Sequence, residues 1–267
     1  MIGAVRIIFV LAAFILLVVS LVPFQYVFMK LNHVFQRRLP RFFHRLVARL
    51  FGFRVKTIGT MSEDRPLLLV SNHVSWSDII VLSTVGEVSF IAKSEVRTWP
   101  VFGYLAYLQR SVFVERAKRG KTGKQASEIA TRLAAGDAMV LFPEGTTSDG
   151  NRLLPFKTAL FGAAHAAIRE GGVSQVTVQP VSIAYTGVHG MPMGRYHRPI
   201  ASWPGDVELM PHLKGILKEG AIDVEITFGE PMVIDTNTDR KLLARVMEER
   251  VRSQLQSSLL GREIKPD

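Results

Sequence analysis

The 267-residue chain contains no cysteine. That absence excludes disulfides, thiolate metal sites and thiol nucleophiles together. The pattern G-x-S-x-G is also missing, so the strained strand-to-helix elbow that presents many serine nucleophiles is not encoded. No acidic residue precedes Glu63, whereas the same stretch holds Arg6, Lys30, Arg37, Arg38, Arg41, Arg45, Arg49, Arg54 and Lys56. The formal net charge of +10 is therefore gathered at one end, and the remainder carries 24 basic against 23 acidic residues. A nearly neutral body without interleaved aromatics and cations argues against a nucleic-acid partner. Basic residues beside an apolar run argue for an anionic membrane surface. Low-complexity tracts, internal repeats and Pro/Ser-rich hinges are absent as well, which points to one large domain behind the N-terminal segment.

The apolar run extends from Ile7 to Phe24, broken only by Ser20 and Pro23. It is long enough to cross a bilayer core or to lie shallowly in it. A cleaved signal peptide is the competing reading. The length of the run, the lack of a small-x-small site after it and the dense basic region that follows all weigh against that reading. Positive charge on the C-terminal side places residue 30 onward in the cytoplasm, at the inner (plasma) membrane. Next, Leu31, Val34, Phe35, Leu39, Phe42, Phe43, Leu46, Val47, Leu50 and Phe51 recur on a helical period, with Arg37, Arg41 and Arg45 along another face. This is a basic amphipathic helix, kinked or restarted at Pro40. A core helix with a solvated face would show the same pattern, but its place directly after an apolar anchor favours the headgroup layer. Residues 1–56 are thus expected to form a membrane anchor with a basic amphipathic helix, and residues 57–267 the main domain.

Buried strands are expected at Leu67–Val70, Val88–Ala92, Ser111–Val114 and Ala138–Phe142, and a half-exposed one at Ile222–Phe228. Val176–Tyr185 also reads as a strand, with Pro180 suggesting an edge or a bulge. Helices are expected from Asp78, over Tyr104–Leu108, over Ala126–Ala135 closed by Gly136, from Phe156 to Ile168, over Asp206–Leu217 and over about Thr238–Leu259. Lys118–Lys124 reads as a basic loop and Gly187–Pro204 as a loop rich in Gly, Met and Pro. The alternation implies an α/β domain with a mixed, largely parallel sheet flanked by helices, preceded by an N-terminal membrane-associated helical pair.

Chemistry concentrates where the first buried strand ends, at Asn72-His73-Val74-Ser75-Trp76-Ser77-Asp78. Residues five apart on a helix lie about 140° from each other, so His73 and Asp78 can meet only if His73 sits on the turn and Asp78 in the first helical turn. Ser75 is then a candidate N-cap with Asp78 at N3, the geometry of a capping box. A capping carboxylate beside an incidental histidine is one reading. The other is a base with its orienter, in which Asp78 holds His73 Nδ1 and frees Nε2 to take a proton from a hydroxyl. Both hold if one Asp78 oxygen faces the helix amides and the other faces His73.

Asn72-His73-x4-Asp78, followed about seventy residues later by Phe142-Pro143-Glu144-Gly145-Thr146, resembles the glycerolipid acyltransferase superfamily, in particular the bacterial 1-acyl-sn-glycerol-3-phosphate (lysophosphatidate) acyltransferases. Phe113-Val114-Glu115-Arg116 and Val178-Gln179-Pro180-Val181-Ser182-Ile183 are similar to two further blocks of that family, so the resemblance covers about residues 5 to 185. It implies acyl transfer from a thioester, acyl-CoA or acyl carrier protein, to the sn-2 hydroxyl of lysophosphatidate, with no metal and no cofactor. Carried onto this chain, His73 is the general base and Asp78 its orienter. Glu144, Gly145 and Thr146 would shape the site around the acceptor's glycerol, while Lys93, Arg116 and Lys157 would hold its phosphate. One position departs: the family block usually continues with Arg, and here the residue is Thr147. A bidentate phosphate ligand is therefore missing. Either Arg152 or Lys157 compensates, or the acceptor is another lysolipid hydroxyl such as that of lyso-ornithine lipid, which has no phosphate.

Other readings of the same residues are weaker. Lys93, Arg116 and Lys157 could be solvated surface charge, and Glu144 could close its turn by accepting backbone amides. A metal held by His73, Asp78 and Glu144 would resemble a facial His/carboxylate set, which generally needs a second His. A lipid hydrolase lacks its elbow here. A non-catalytic membrane lipid-binding protein would have no use for a base and orienter pair.

Overall fold

Leu67-Leu68-Leu69-Val70-Ser71 is apolar on both faces and wholly buried, as a central strand covered on two sides must be. It forms β2 (Leu67–Ser71), flanked by β5 (Ala138–Leu141) and β6 (Val176–Val188), and the order continues through β3 (Val88–Lys93) to β4 (Val112–Val114). These five strands are parallel. On the other side β8 (Ile222–Phe228) pairs antiparallel with β6, and β1 (Phe53–Ile58) pairs parallel with β8. Two short strands, β7 (Met191–Pro192) and β9 (Met232–Ile234), also pair with β6. The computed structural model describes residues 2–114, 122–170, 172–205 and 207–262. The α/β fold expected from the sequence, a mixed and largely parallel sheet flanked by helices, is the fold observed.

Period-two alternation splits the core in two. Leu67, Leu69, Val140, Val181, Ile183 and Tyr185 face α2 (Phe35–Phe51) and α3 (Ser77–Val85). Leu68, Val70, Met139, Leu141, Val176 and Val178 face α5 (Thr122–Ala134), α6 (Gly162–Glu170) and α8 (Arg240–Leu260). The remaining helices are α1 (Ile2–Lys30), α4 (Phe102–Leu108) and α7 (Leu209–Glu219). Along the outer face of the β1–β8 pair, Arg54 bonds Asp223 (2.6 and 2.8 Å) and Lys56 bonds Glu225 (3.1 Å) at directly opposed register positions.

Several elements differ from expectation. β6 is central, not an edge, despite Pro180. Its antiparallel neighbour changes from β9, whose first residue Met232 lies opposite Val178, to β8, whose last residue Phe228 lies opposite Val181. Pro180 falls in that gap, where a missing N–H costs no ladder bond. The expected loop at Gly187–Pro204 is partly strand, since β6 runs to Val188 and turns back through β7. The stretch from Phe156 begins as a 3-10 turn, Thr158–Phe161, before α6. α5 starts at Thr122, inside the expected basic loop, and α7 starts at Leu209. Glu115, Arg116 and Lys118 lie outside the described residues.

α2 passes through Pro40 without restarting. The ring of Pro40 leaves the carbonyl of Gln36 without its helical donor, and the side chain of Gln25 supplies one at 3.0 Å. The same Gln25 amide donates to Leu108 O at 2.8 Å. At the other end of α1, Arg6 donates to Phe51 O at 3.3 Å, and Val10 is buried against the core between them. Contacts with the globular part therefore run over about 28 Å of α1, at 1.5 Å per residue. Its outward face, including Ile8, Phe9, Ile15, Leu16 and Val19, is exposed. α1 is one helix long and apolar enough to cross a membrane.

Candidate active site

The ends of β2, β3, β4 and β5 lie along one edge of the parallel sheet, the edge where open α/β sheets place their ligands. β2 leaves it through Asn72. The Asn72 side chain donates to Ile183 O (2.9 Å) and accepts from Ile183 N (2.8 Å), continuing the β2–β6 pairing one residue past Ser71 by side chain alone. That clasp fixes where His73 begins.

Asp78 is completely buried. Its Oδ2 accepts from His73 Nδ1 (2.8 Å), Val74 N (2.7 Å) and Ser75 N (3.0 Å), and its Oδ1 accepts from the Tyr185 hydroxyl (2.8 Å). The expected division, one oxygen for amides and one for His73, is not what forms. A single oxygen takes both, because α3 begins at Ser77 with Trp76 in the cap position, and the amides within reach belong to the turn before it. Ser75 Oγ accepts only a long 3.4 Å bond from Ser77 N. Four donors, none of them a lysine or arginine, thus stand in for the water that the carboxylate has lost. Tyr185 is buried too. Burial and the neighbouring Asp78 push its phenol well above the ordinary value, so it keeps its proton and donates. Its oxygen lies 2.6 Å from Ser77 Oγ, which completes the network.

A carboxylate oxygen that already accepts from two amides places the ring proton of His73 on Nδ1. Nε2 then carries a lone pair, and no described residue bonds it. The ring stacks on Phe142 at 4.1 Å with planes 13° apart, and its side chain is 21% exposed. A base held in one tautomer, clamped by an aromatic face and open on the far nitrogen, can remove a proton from a hydroxyl brought to it.

Glu144 stands one loop away. Its Oε1 accepts from His73 N (2.6 Å) and its Oε2 from Leu154 N (2.8 Å). Burial pushes this carboxyl up to about 8, against the pull of the two amides. In this geometry Glu144 braces the His73 turn by accepting backbone amides, as one of its two readings anticipated. Gly145 takes φ +73°, a left-handed value that a side chain would strain. Ser148 N also donates to His73 O at 2.8 Å. Thr146 is exposed and Thr147 is buried.

The cations are placed unevenly. Lys93 ends β3 and Lys157 precedes the 3-10 turn, its amide bonded to Pro143 O at 2.9 Å; both side chains are exposed. Arg116, two residues beyond β4, lies outside the described residues. No group of three potential metal ligands occurs among the described residues. No local sequence pattern gives Tyr185, Ser77 or Asn72 a role. Tyr185 stood two residues past a recognised block, on the same strand face as Val181 and Ile183.

Beside α3 lies an apolar cavity of about 230 Å³, between α1, α2 and α4 and lined in part by Trp76, Ile79, Phe14, Phe43, Trp99 and Leu105. Trp76 and Ile79 follow directly on the His73 turn.

Residues 52–184 match the Acyltransferase family. A lyso-ornithine lipid O-acyltransferase of Brucella abortus is 74% identical over 264 residues, which is 99% of either chain. Another protein of that name from Rhizobium meliloti is 53% identical over 254 residues, 94% of this chain and 87% of the other. The crystal structure of the 1-acyl-sn-glycerophosphate acyltransferase from Thermotoga maritima superposes with a TM-score of 0.61 at 22% identity, covering 98% of this chain and 100% of that one. The latter match concerns the fold alone. With a family match over its core and a relative of this identity over nearly its whole length, the chain belongs to the Acyltransferase family and is an acyltransferase of lipid metabolism.

Proposed function

We propose that the protein transfers a fatty acyl group from a thioester, acyl-CoA or acyl carrier protein, to the free hydroxyl of lyso-ornithine lipid. The observation that carries this reading is the near-full-length similarity to two proteins named for that reaction. The burial of Thr147 supports it, because the position where the family usually offers a phosphate-binding Arg holds a short, enclosed hydroxyl. Lysophosphatidate, the acceptor implied by the motif resemblance, is thereby the second choice.

In the reaction, His73 Nε2 takes the proton of the acceptor hydroxyl as its oxygen attacks the thioester carbonyl. Asp78 stabilises the imidazolium that forms. The tetrahedral adduct then collapses with cleavage of the C–S bond, and the departing thiolate receives the proton, so that an ester and a free thiol result. The apolar cavity beside Trp76 suits an acyl chain. α1 and α2 hold the domain at the membrane. The contacts of α1 near both of its ends, Arg6 with Phe51 and Gln25 with Leu108, support a helix lying within one leaflet, since a helix crossing the bilayer would meet the globular part near one end only. The basic residues after Lys30 support the cytoplasmic face as the side that carries the domain. Residues 1–56 act as this anchor and the remainder as the catalytic part, with β1 carrying the junction into the sheet.

The test is an assay of the membrane-bound enzyme with labelled acyl thioester and either acceptor. Labelled ornithine lipid in large excess over phosphatidate is the expected result. Phosphatidate alone would overturn the acceptor assignment, and no product from either would overturn the reaction.

A further inference from the structure

The loop that follows β7 folds back over the catalytic turn. Trp203 N donates to Val74 O at 2.9 Å, and Val74 is the neighbour of His73. Gly150, at the end of the Glu144 turn, is pressed into the same place. A Cβ there would meet Val74 Cγ1 at 3.0 Å, Ser202 Cβ at 3.6 Å and Arg198 Cδ at 3.8 Å. Arg198 thus stands beside the loops that hold the catalytic turn, on a different element from every cation singled out in the sequence.

Burial and Arg195 disfavour the charge on its guanidinium, and Asp149 is the neighbouring charge that favours it. Nη1 donates to Asn151 Oδ1 at 2.6 Å, while the buried Nε has no hydrogen-bond partner. Asn151 N in turn donates to Asp149 Oδ1 at 3.0 Å, so Asn151 links Asp149 to Arg198. Asp149 is only partly buried, and its two nearest amides and Arg152 keep its carboxyl below the ordinary value despite that burial. One fixed cation and one fixed anion therefore sit side by side on the loops that hold the His73 turn.

We infer that Arg198 and Asp149 form the acceptor's headgroup subsite and read a zwitterion, Arg198 taking a carboxylate and Asp149 an ammonium. This rests on the proposed acceptor. An ornithine headgroup attached through its α-nitrogen keeps both charges, whereas a phosphate monoester offers only negative charge and would be repelled by Asp149. A guanidinium fork matches a carboxylate in two parallel bonds. It also supplies near the catalytic turn the cation that Thr147 does not.

The test uses the full-length enzyme with three acceptors of equal chain length: lyso-ornithine lipid, the same lipid with its carboxylate converted to a primary amide, and the same lipid with the side-chain ammonium replaced by hydrogen. Wild type should lose about 10- to 100-fold in kcat/KM on each altered acceptor, the range for one charged hydrogen bond. Arg198→Gln should lose a similar factor on lyso-ornithine lipid and close to none on the amide acceptor; Asp149→Asn should behave likewise toward the acceptor without ammonium. Arg198→Lys should recover part of the loss. Wild type that uses all three acceptors equally overturns the subsite and leaves the acyltransferase reading intact, and this arm needs no variant to fold. Failure to acylate lyso-ornithine lipid at all overturns the acceptor assignment instead.

Discussion

Two carboxylates are buried at opposite edges of the sheet, and their partners could hardly differ more. Asp78, at the edge where β2 and β5 end, is surrounded by two amides, a phenol and the imidazole of His73. Asp137, just before β5 begins, is met by three guanidiniums: Arg37 at 2.9 Å, Arg110 at 3.0 Å and Arg132. Three full positive charges cancel that of Asp137 several times over, and the cluster ties α2, the start of β4 and α5 together. Dipoles, by contrast, stabilise the Asp78 carboxylate without cancelling it, so its charge stays available to an imidazolium forming 2.8 Å away. Burial of an acid is thus a poor guide to function, and the kind of partner is a good one.

Substitutions at the two sites should separate along this line. The largest effect is expected from Asp78→Asn, which keeps the shape but removes the charge facing His73. kcat should fall by about three to four orders of magnitude, read by product formation at saturating acceptor with the melting temperature as a check on folding. Asp137→Asn should do the reverse. Three arginines left around a neutral amide should cost about 3 kcal/mol of stability, measured by denaturant unfolding, with activity per folded molecule retained. A large loss of kcat in Asp137→Asn at unchanged stability would erase the distinction.

Tyr185→Phe sharpens the comparison from within the catalytic network. Removing one of four donors to Asp78 should lower kcat by about 10- to 100-fold while KM for the acceptor barely moves, since the phenol touches Asp78 and not the substrate. An unchanged kcat would show that the other three donors suffice. The smallest effect concerns Glu144. Its carboxyl is raised in the fold from 4.5 to about 8, so the folded state holds a proton that the unfolded chain releases. Stability from this group therefore declines as pH rises from about 5 to about 8. Glu144→Gln should cost about 1–3 kcal/mol, because one of two amides loses its acceptor. That gap should narrow with rising pH, as melting curves at several pH values would show.

Much of the catalytic edge was readable from local pattern. The buried run before Asn72, the histidine on a turn and the glycine-bearing turn after Phe142 are signals carried by residues close in sequence. What escaped depends on distance along the chain. Tyr185 reaches Asp78 across 107 positions, and Asn72 reaches Ile183 across 111. Arg198 lies in a segment whose composition suggests only a loop. Pro180 misled because a proline ordinarily marks an edge, and only the exchange of β9 for β8 beside it lets a central strand accept one. At Pro40 the helix does not restart, since the donor that satisfies Gln36 comes from Gln25 on another helix.

The central claim is that His73 Nε2, oriented by Asp78, removes the proton of a lipid hydroxyl. The most direct measurement compares wild type with His73→Ala on lyso-ornithine lipid and a labelled acyl thioester, in the same membranes, with equal folded protein confirmed by melting. Turnover confined to wild type is the expected result. Product from His73→Ala above a few per cent of the wild-type rate would contradict the claim and move the base elsewhere.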